Sequence, residues 1–232
     1  MTAMIKVIGF DADDTLWVNE PNYQQTEITF RLIMKAWVSE EETSRELFAT
    51  EMANLEMYGF GAKGFMLSMI ETAIRVSKGS IEGEKLDQII NLGKELLDKH
   101  VELLPGVSTL LNQLQGKYTL ILATKGDLLD QERKLRKSGL ESYFHHIEIM
   151  SDKKEENYLK LLKRLEIQPA EFMMVGNSMK SDIMPVLDIG GYGVHVPFHI
   201  NWLHDLTDFQ PENSKFAQIT ELSKLPELLE KI

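Results

Sequence analysis

Two aspartates separated by one residue, Asp11 and Asp13, follow a short apolar segment near the start of the chain. One such carboxylate can attack an electrophilic phosphorus atom, and a second, protonated one can give a proton to the leaving oxygen and later take one from water. Attack on a phosphate dianion needs a cation that reduces the repulsion, and Mg²⁺ prefers oxygen ligands. The segment therefore indicates phosphoryl-transfer chemistry, although an acidic turn closed by Asx hydrogen bonds fits the same residues.

Two further segments carry groups that suit a phosphate. Thr124 and Lys125 offer a hydroxyl and a free backbone N–H where a strand is followed by a helix, and both suit a phosphoryl oxygen. Lys153 and Lys154 offer an ammonium that could neutralise the charge of phosphate and nucleophile. Each segment alone also fits an ordinary turn or a solvated surface.

A fourth segment, residues 176–182, offers oxygen atoms to a hard cation. The amide of Asn177 and the carboxylate of Asp182 are both oxygen ligands of the kind that Mg²⁺ accepts, and Gly176 permits a close approach of the backbone. The same residues fit the capped start of a helix. Together, the four segments form a chemically complementary set for phosphoryl transfer.

These segments must be positioned by the elements that precede them. Apolar, β-branched runs predict strands at residues 4–10, 118–124, 147–150, 172–175 and 192–196. Helical spacing predicts helices near residues 106–115, 128–138, 155–166, 180–189 and 221–231. Alternating strands and helices indicate a parallel α/β sheet, and ligands of such sheets bind beyond the carboxyl ends of the strands.

The stretch between about residues 22 and 100 has a different rhythm. Its apolar residues recur at helical spacing, which predicts four helices and no strand. The sequence therefore predicts an α/β domain formed by residues 1–17 and 103–232, with a helical domain at residues 18–102 inserted after the first strand.

At these residues the chain resembles the haloacid dehalogenase-like (HAD) superfamily of hydrolases. Its Asp-x-Asp-x-Thr motif is matched by Asp11–Thr15, its Ser or Thr by Thr124, and its Lys by Lys153, with Lys154 as the alternative. Its last motif, an acidic loop after a glycine, is matched by Gly176–Asp182. The helical insert lies where that superfamily carries its type 1 cap.

The resemblance implies a fold and a set of roles. The fold would be a Rossmann-like parallel sheet of strand order 5-4-1-2-3, flanked by helices and carrying an inserted α-helical cap domain. Asp11 would be the nucleophile that forms an aspartyl-phosphate, and Asp13 would be the general acid and base. Thr124 and Lys153 would hold the phosphoryl group.

The resemblance also implies a Mg²⁺ site formed by Asp11, the backbone carbonyl of Asp13, Asp182 and Asn177. Many relatives have aspartate where this chain has Asn177. The neutral amide can still ligate through its oxygen, but it reduces the negative charge at the metal. We therefore expect Asp182 to be the carboxylate ligand of this loop, and Asn177 to be either a ligand or a neighbour of the ligands. Lys125 replaces an asparagine that is common in phosphatase relatives and adds a cation at the phosphate-binding site.

Asp13 separates the activities within the superfamily, because its dehalogenases lack this second aspartate and need no metal. The resemblance thus favours Mg²⁺-dependent hydrolysis of a small phosphomonoester. A sugar phosphomutase and a low-turnover phosphate-binding or regulatory protein stay open as alternatives. We expect the cap to set substrate choice, and Lys63 in its glycine-rich loop could offer a cation there.

Composition and net charge limit the classes of partner that we expect for this chain. With 43% hydrophobic and 26% charged residues among 232, the chain has the composition of a globular protein. A net charge of −11 argues against nucleic acid and anionic membranes, and the absence of cysteine excludes disulfides and thiolate sites. We find no signal peptide or spanning segment, so we expect a cytoplasmic monomer or homodimer that acts on a small phosphorylated metabolite.

Overall fold

A six-stranded sheet organises the structure, a computed structural model that describes residues 4–200 and 211–232. Its strands run in the order β3-β2-β1-β4-β5-β6, and every neighbouring pair is parallel. The strands are β1 (Val7–Phe10), β2 (Thr119–Lys125), β3 (His146–Met150), β4 (Phe172–Gly176), β5 (Tyr192–His195) and β6 (Phe216–Gln218).

The predicted fold class is confirmed. The predicted strand order 5-4-1-2-3 is the observed order read from the other edge, but it lacks β6, which pairs with β5 at the edge of the sheet. Sequence reasoning missed this strand because three residues are too few to show an alternating pattern.

Helices surround the sheet and form the insert. In the described residues they are α1 (Glu20–Met34), α2 (Glu40–Tyr58), α3 (Ala62–Val76), α4 (Gly83–Asp98), α5 (Val107–Leu114), α6 (Leu128–Ser138), α7 (Glu155–Arg164), α8 (Met184–Asp188) and α9 (Leu225–Leu229). Two of them are shorter than predicted. A π-helical turn (Met179–Ile183) precedes α8 and a 3₁₀ turn (Leu222–Lys224) precedes α9, and each of these two helices has a proline in its first turn, where the missing N–H is tolerated.

Alternating side chains along the strands give the sheet two buried faces. On β1, Ile8 and Phe10 contribute to one apolar cluster and Val7 contributes to the other. The first cluster includes side chains from α5, α6 and α9, and the second includes side chains from α7 and α8. Both faces are therefore covered, as an all-parallel sheet requires.

The described residues divide into two compact units. One, the α/β unit, takes in residues 4–20, 101–125 and the described residues from 131 onwards, and the other, the helical unit, takes in residues 21–100 and 126–130. The helical unit has its own apolar core, and its helices α3 and α4 pack closely because Gly93 lies against Met66, where an added Cβ would come within 2.5 Å. No helix in the described ranges is both long and apolar enough to cross a membrane.

Candidate active site

The carboxyl ends of neighbouring strands bring the predicted residues together in the α/β unit. Asp11 follows β1, and its backbone N–H donates to the carbonyl of Val175 in β4 at 2.9 Å. Thr124 lies near the end of β2 and is buried. Parallel register places these ends at one edge of the sheet, where ligands of open parallel sheets bind.

A buried lysine lies between two carboxylates at this edge. The Nζ atom of Lys153 donates to Oδ1 of Asp11 and, at 2.6 Å, to Oδ1 of Asp182. The side chains of Lys153 and Asp182 are each only 1% exposed. Lys154, the alternative considered from the sequence, is 69% exposed and pairs with Asp152. The structure therefore brings Lys153, and not Lys154, to Asp11.

Burial and charge shift the pKa values of this cluster. Burial and the carboxylate of Asp182 raise the pKa of Asp11 to about 7, against the opposing effect of Lys153. Burial alone would lower the pKa of Lys153, but the two carboxylates outweigh it and raise that pKa, so the lysine stays an ammonium. Burial also raises the pKa of Tyr158, whose neutral hydroxyl donates to the carbonyl of Ser181 at 3.0 Å.

A tight turn after β4 fixes Asp182. Its Oδ2 atom accepts from the backbone N–H of Ser178 at 3.0 Å, so Lys153 and Ser178 engage both of its oxygens. The turn closes directly over Gly176, where an added Cβ would lie 2.2 Å from Oδ2 of Asp182. The resemblance predicted Asp182 as a metal ligand, and in this structure its carboxylate pairs with Lys153.

The amide of Asn177 meets the first motif. One terminal atom of that amide lies 3.2 Å from Oγ1 of Thr15, from Oδ2 of Asp11 and from the backbone oxygen of Asp13. As a nitrogen it would donate to all three. As an oxygen it would accept from Thr15 and lie beside two oxygens that only accept, an arrangement that a shared cation would stabilise. His195 supports the loop, because its Nε2 atom lies 2.9 Å from the backbone oxygen of Asn177.

This donor set fits a hard cation. A carboxylate oxygen of Asp11, the carbonyl of Asp13 and the amide oxygen of Asn177 are ligands that Mg²⁺ accepts, with water completing the shell. Within residues 4–200 and 211–232, no group of three or more His, Cys, Asp or Glu side chains is arranged for a metal. A metal here would therefore depend on the backbone carbonyl and the amide as well as on Asp11.

Lys125 points its ammonium at the turn after β4. Its Nζ atom donates to Oγ of Ser181 at 2.9 Å, and its backbone oxygen accepts from Nε2 of Gln131 at 3.3 Å. Lys125 therefore lies beside the Asp182 turn. Its predicted contact with phosphate stays a prediction.

Sequence reasoning missed the partners of Asp13. Its carboxylate accepts from Trp17, Gln131 and Lys134, the last of which also donates to Asn19. Gln131 and Lys134 lie three residues apart on α6 and so share a helix face. The sequence offered no signal for these contacts, because most residues of α6 are polar.

The match to a known protein family covers the residues of all four motifs. The family model of the haloacid dehalogenase-like hydrolases matches residues 5–190, which include all four predicted motifs. The chain belongs to this family. The resemblance seen in the sequence is confirmed, and with it the membership of a hydrolase family.

Two solved structures of the family are similar to this chain. A haloacid dehalogenase-like family hydrolase from Xanthomonas campestris is 34% identical, with a TM-score of 0.89 over 100% of this chain and 96% of that one. A 2-haloacid dehalogenase from Pseudomonas syringae pv. Tomato shares 21% identity and a TM-score of 0.66, over 98% of this chain and 99% of that one, which is a likeness of fold.

The curated relatives are named as phosphatases. The N-acylneuraminate-9-phosphatase of Mus musculus is 31% identical over 126 residues, which is 52% of this chain and 51% of that protein. The human protein of the same name is 29% identical over the same length. This chain therefore aligns with about half the length of the curated relatives it matches.

Proposed function

We propose that this chain hydrolyses a small phosphomonoester through an aspartyl-phosphate on Asp11. The observation that carries the proposal is the buried pairing of Asp11 with Lys153, with a second carboxylate, Asp13, two residues further on. A nucleophile, a cation and an acid–base group are the parts that a two-step phosphoryl transfer needs. The name of the curated relatives supports phosphate esters over halogenated acids as the substrate class.

In the first step, a carboxylate oxygen of Asp11 attacks phosphorus and the bond from phosphorus to the leaving oxygen breaks. Asp13 gives its proton to that leaving oxygen, which departs as an alcohol. Lys153 keeps its charge next to Asp11 and stabilises the phosphoryl oxygens, and Thr124 donates its hydroxyl to one of them.

In the second step, Asp13 takes a proton from water, and the oxygen of that water attacks phosphorus. The bond to Asp11 then breaks, which releases inorganic phosphate and restores both aspartates. Asp182 takes no direct part in either step, and its role is to hold Lys153 in place.

The metal site belongs to this proposal. Asp11, the carbonyl of Asp13 and the amide of Asn177 would hold Mg²⁺, which supplies positive charge that reduces the repulsion between the nucleophile and the phosphate dianion. We assign Asp182 to Lys153 instead of to the metal, because its two oxygens are engaged by Lys153 and Ser178.

Release of inorganic phosphate tests the proposal. The purified chain is incubated with a panel of phosphomonoesters, N-acylneuraminate 9-phosphate among them, with Mg²⁺ and with EDTA. We expect release that needs Mg²⁺ and falls by at least about 10³-fold in Asp11→Asn. Asp188→Asn, an exposed carboxylate on α8, is the matched control.

Three other outcomes would overturn the proposal in different ways. An isomeric sugar phosphate in place of free phosphate would identify a mutase. Tight binding of inorganic phosphate without turnover of any ester would identify a phosphate-binding protein. Equal release by the wild type and Asp11→Asn would exclude Asp11 as the nucleophile.

A further inference from the structure

The carboxylate of Asp13 is held by three donors that do not belong to the family motifs. Nε1 of Trp17 donates to Oδ1 at 2.6 Å, and Nε2 of Gln131 donates to Oδ2 at 2.8 Å. Nζ of Lys134 lies 3.0 Å from Oδ1 and 3.1 Å from Oδ2. Both oxygens are engaged, so the direction in which this carboxylate points is fixed by its neighbours.

Lys134 differs from the other two donors in its positive charge and in its further contact with Asn19. Charge-assisted hydrogen bonds are stronger than neutral ones, and Lys134 alone of the three carries a positive charge. Its side chain is 17% exposed, so water screens the pair less than it would at the surface. Its Nζ atom also donates to Oδ1 of Asn19 at 2.7 Å.

Asn19 lies where the chain leaves the α/β unit. The preceding residue, Val18, donates its N–H to the carbonyl of Glu102, which lies in the segment through which the chain returns to this unit. The backbone N–H of Asn19 donates to Oδ1 of Asp14 at 2.8 Å. Lys134 therefore connects the side chain of Asp13 on the first motif, through one ammonium, to a linker residue that is itself anchored.

We propose that Lys134 is a positioning residue for the reaction, because it sets the orientation of the Asp13 carboxylate and ties it to Asn19. This inference rests on the proposed function, in which Asp13 moves protons to and from the reacting oxygens. Lys134 acts through Asp13 and not on the phosphate. Its removal should therefore slow the steps in which Asp13 transfers a proton and leave the binding of the ester unchanged.

The choice of leaving group isolates this role. An alkyl ester such as glycerol phosphate needs a proton on its leaving oxygen, whereas 4-nitrophenyl phosphate releases a stable phenolate. We expect Lys134→Met to lower kcat/KM, which reports on formation of the aspartyl-phosphate alone, by about 30-fold for glycerol phosphate and by about threefold or less for 4-nitrophenyl phosphate. The KM for glycerol phosphate should stay within about twofold, because no group that binds phosphate is removed.

Matched variants complete the experiment. Lys137→Met, an exposed lysine one turn along the same helix, should leave these constants unchanged. Lys134→Arg keeps the charge and should restore most of kcat/KM for glycerol phosphate. Asp13→Asn should show the same preference for 4-nitrophenyl phosphate, and adding Lys134→Met to it should change kcat/KM no further.

A proton NMR signal, which does not depend on activity, gives a second measurement. The hydrogen bond from Trp17 to Asp13 should shift the indole N–H proton resonance of Trp17, and the loss of that resonance in Trp17→Phe would assign it. Lys134→Met should move this resonance, because the carboxylate that accepts from it reorients, and Lys137→Met should not. If Lys134→Met does not fold, Lys134→Gln carries the same two tests.

The outcomes separate this inference from the proposed function. No phosphate release by the wild type from these two esters or from any other ester of the panel would overturn both. Release by the wild type, with equal losses of kcat/KM for the two esters in the Lys134 variant, would overturn only the positioning role. A rise in KM alone, or a further loss in the Asp13→Asn background, would also overturn it.

Discussion

The two units treat buried charge in opposite ways. In the α/β unit, Lys153 is buried between Asp11 and Asp182, so charges of opposite sign are in contact. In the helical unit, burial and the carboxylate of Glu27 raise the pKa of Glu51 to about 8. The first arrangement keeps the ammonium of Lys153 charged although it is buried, and the second removes a charge by binding a proton.

The largest loss of stability should follow from removal of the Lys153 ammonium. Lys153→Met leaves Asp11 and Asp182 side by side without a counter-charge, and breaking a buried pair in this way costs about 3–5 kcal/mol of unfolding free energy. Urea unfolding at pH 7 measures it. The loss should shrink at lower pH, because protonation of one carboxylate relieves the repulsion.

Lys154→Met is the matched control for this prediction. Lys154 is the next residue, is mostly exposed and pairs with Asp152 at 2.9 Å. Its replacement should leave stability and phosphate release close to those of the wild type. A Lys153 variant as stable and active as the Lys154 variant would contradict the contrast between the two units.

Gly176→Ala tests how closely the α/β unit is built around its charges. The added Cβ would lie 2.2 Å from Oδ2 and 2.4 Å from Cγ of Asp182, whose position Lys153 and Ser178 fix. Overpacking of this kind costs about 1–3 kcal/mol. Phosphate release should fall even where the variant is fully folded, because a displaced Asp182 no longer holds Lys153 in place.

Gly83→Ala in the helical unit is the control for this substitution. Gly83 begins α4, and nothing lies within 4 Å of the Cβ that alanine would add. Its unfolding midpoint should equal that of the wild type or exceed it slightly, since alanine favours a helix over glycine. A similar loss in both variants would indicate a general sensitivity to glycine replacement.

The sequence was enough to predict the strands that carry the site, since each is rich in apolar residues and is followed by polar ones. It also placed Asp11, Thr124 and Lys153 at the ends of those strands, where the structure has them. What it did not show was which oxygen meets which cation. Asp182 follows its strand as a metal ligand would, yet the turn after Gly176 directs it to Lys153.

The neighbours of Asp13 were hidden for a related reason. Gln131 and Lys134 lie more than a hundred residues from Asp13 along the chain and reach it only after α6 packs on the sheet. Local periodicity identifies the helix but does not state which residue its polar side chains will meet. The edge strand β6 was missed because its pairing, and not its composition, makes it a strand.

The protonated carboxyl of the helical unit predicts a pH dependence. The pKa of Glu51 is raised from its ordinary value to about 8 by burial and by Glu27. The folded chain therefore binds more protons than the unfolded one between about pH 4.5 and pH 8, and its stability falls as pH rises through that window. Glu51→Gln should remove this loss, which grows by about 1.4 kcal/mol for each pH unit within the window.

Unfolding midpoints at pH 5 and pH 8 measure this effect. The advantage of Glu51→Gln over the wild type should grow between the two values. Glu56→Gln, an exposed glutamate on the same helix, should show no such growth. An advantage that is equal at both pH values would show that Glu51 is ionised in the folded chain.

The smallest effect should come from the ion pair of Lys63 in the helical unit. Nζ of Lys63 lies 2.9 Å and 3.1 Å from the two oxygens of Asp127, but the side chains are 44% and 27% exposed. Pairs of this exposure contribute less than about 1 kcal/mol. Lys63→Met should therefore change the unfolding free energy far less than Lys153→Met does, although both lysines are paired.

The same variant tests whether Lys63 serves the substrate. Because Asp127 engages its ammonium at both oxygens, we expect the KM for phosphate esters to stay within about twofold in Lys63→Met. A tenfold rise in KM would show instead that the lysine exchanges Asp127 for the ester. With KM unchanged and a small change in stability, burial of the charges, and not pairing alone, would be what makes Lys153 indispensable.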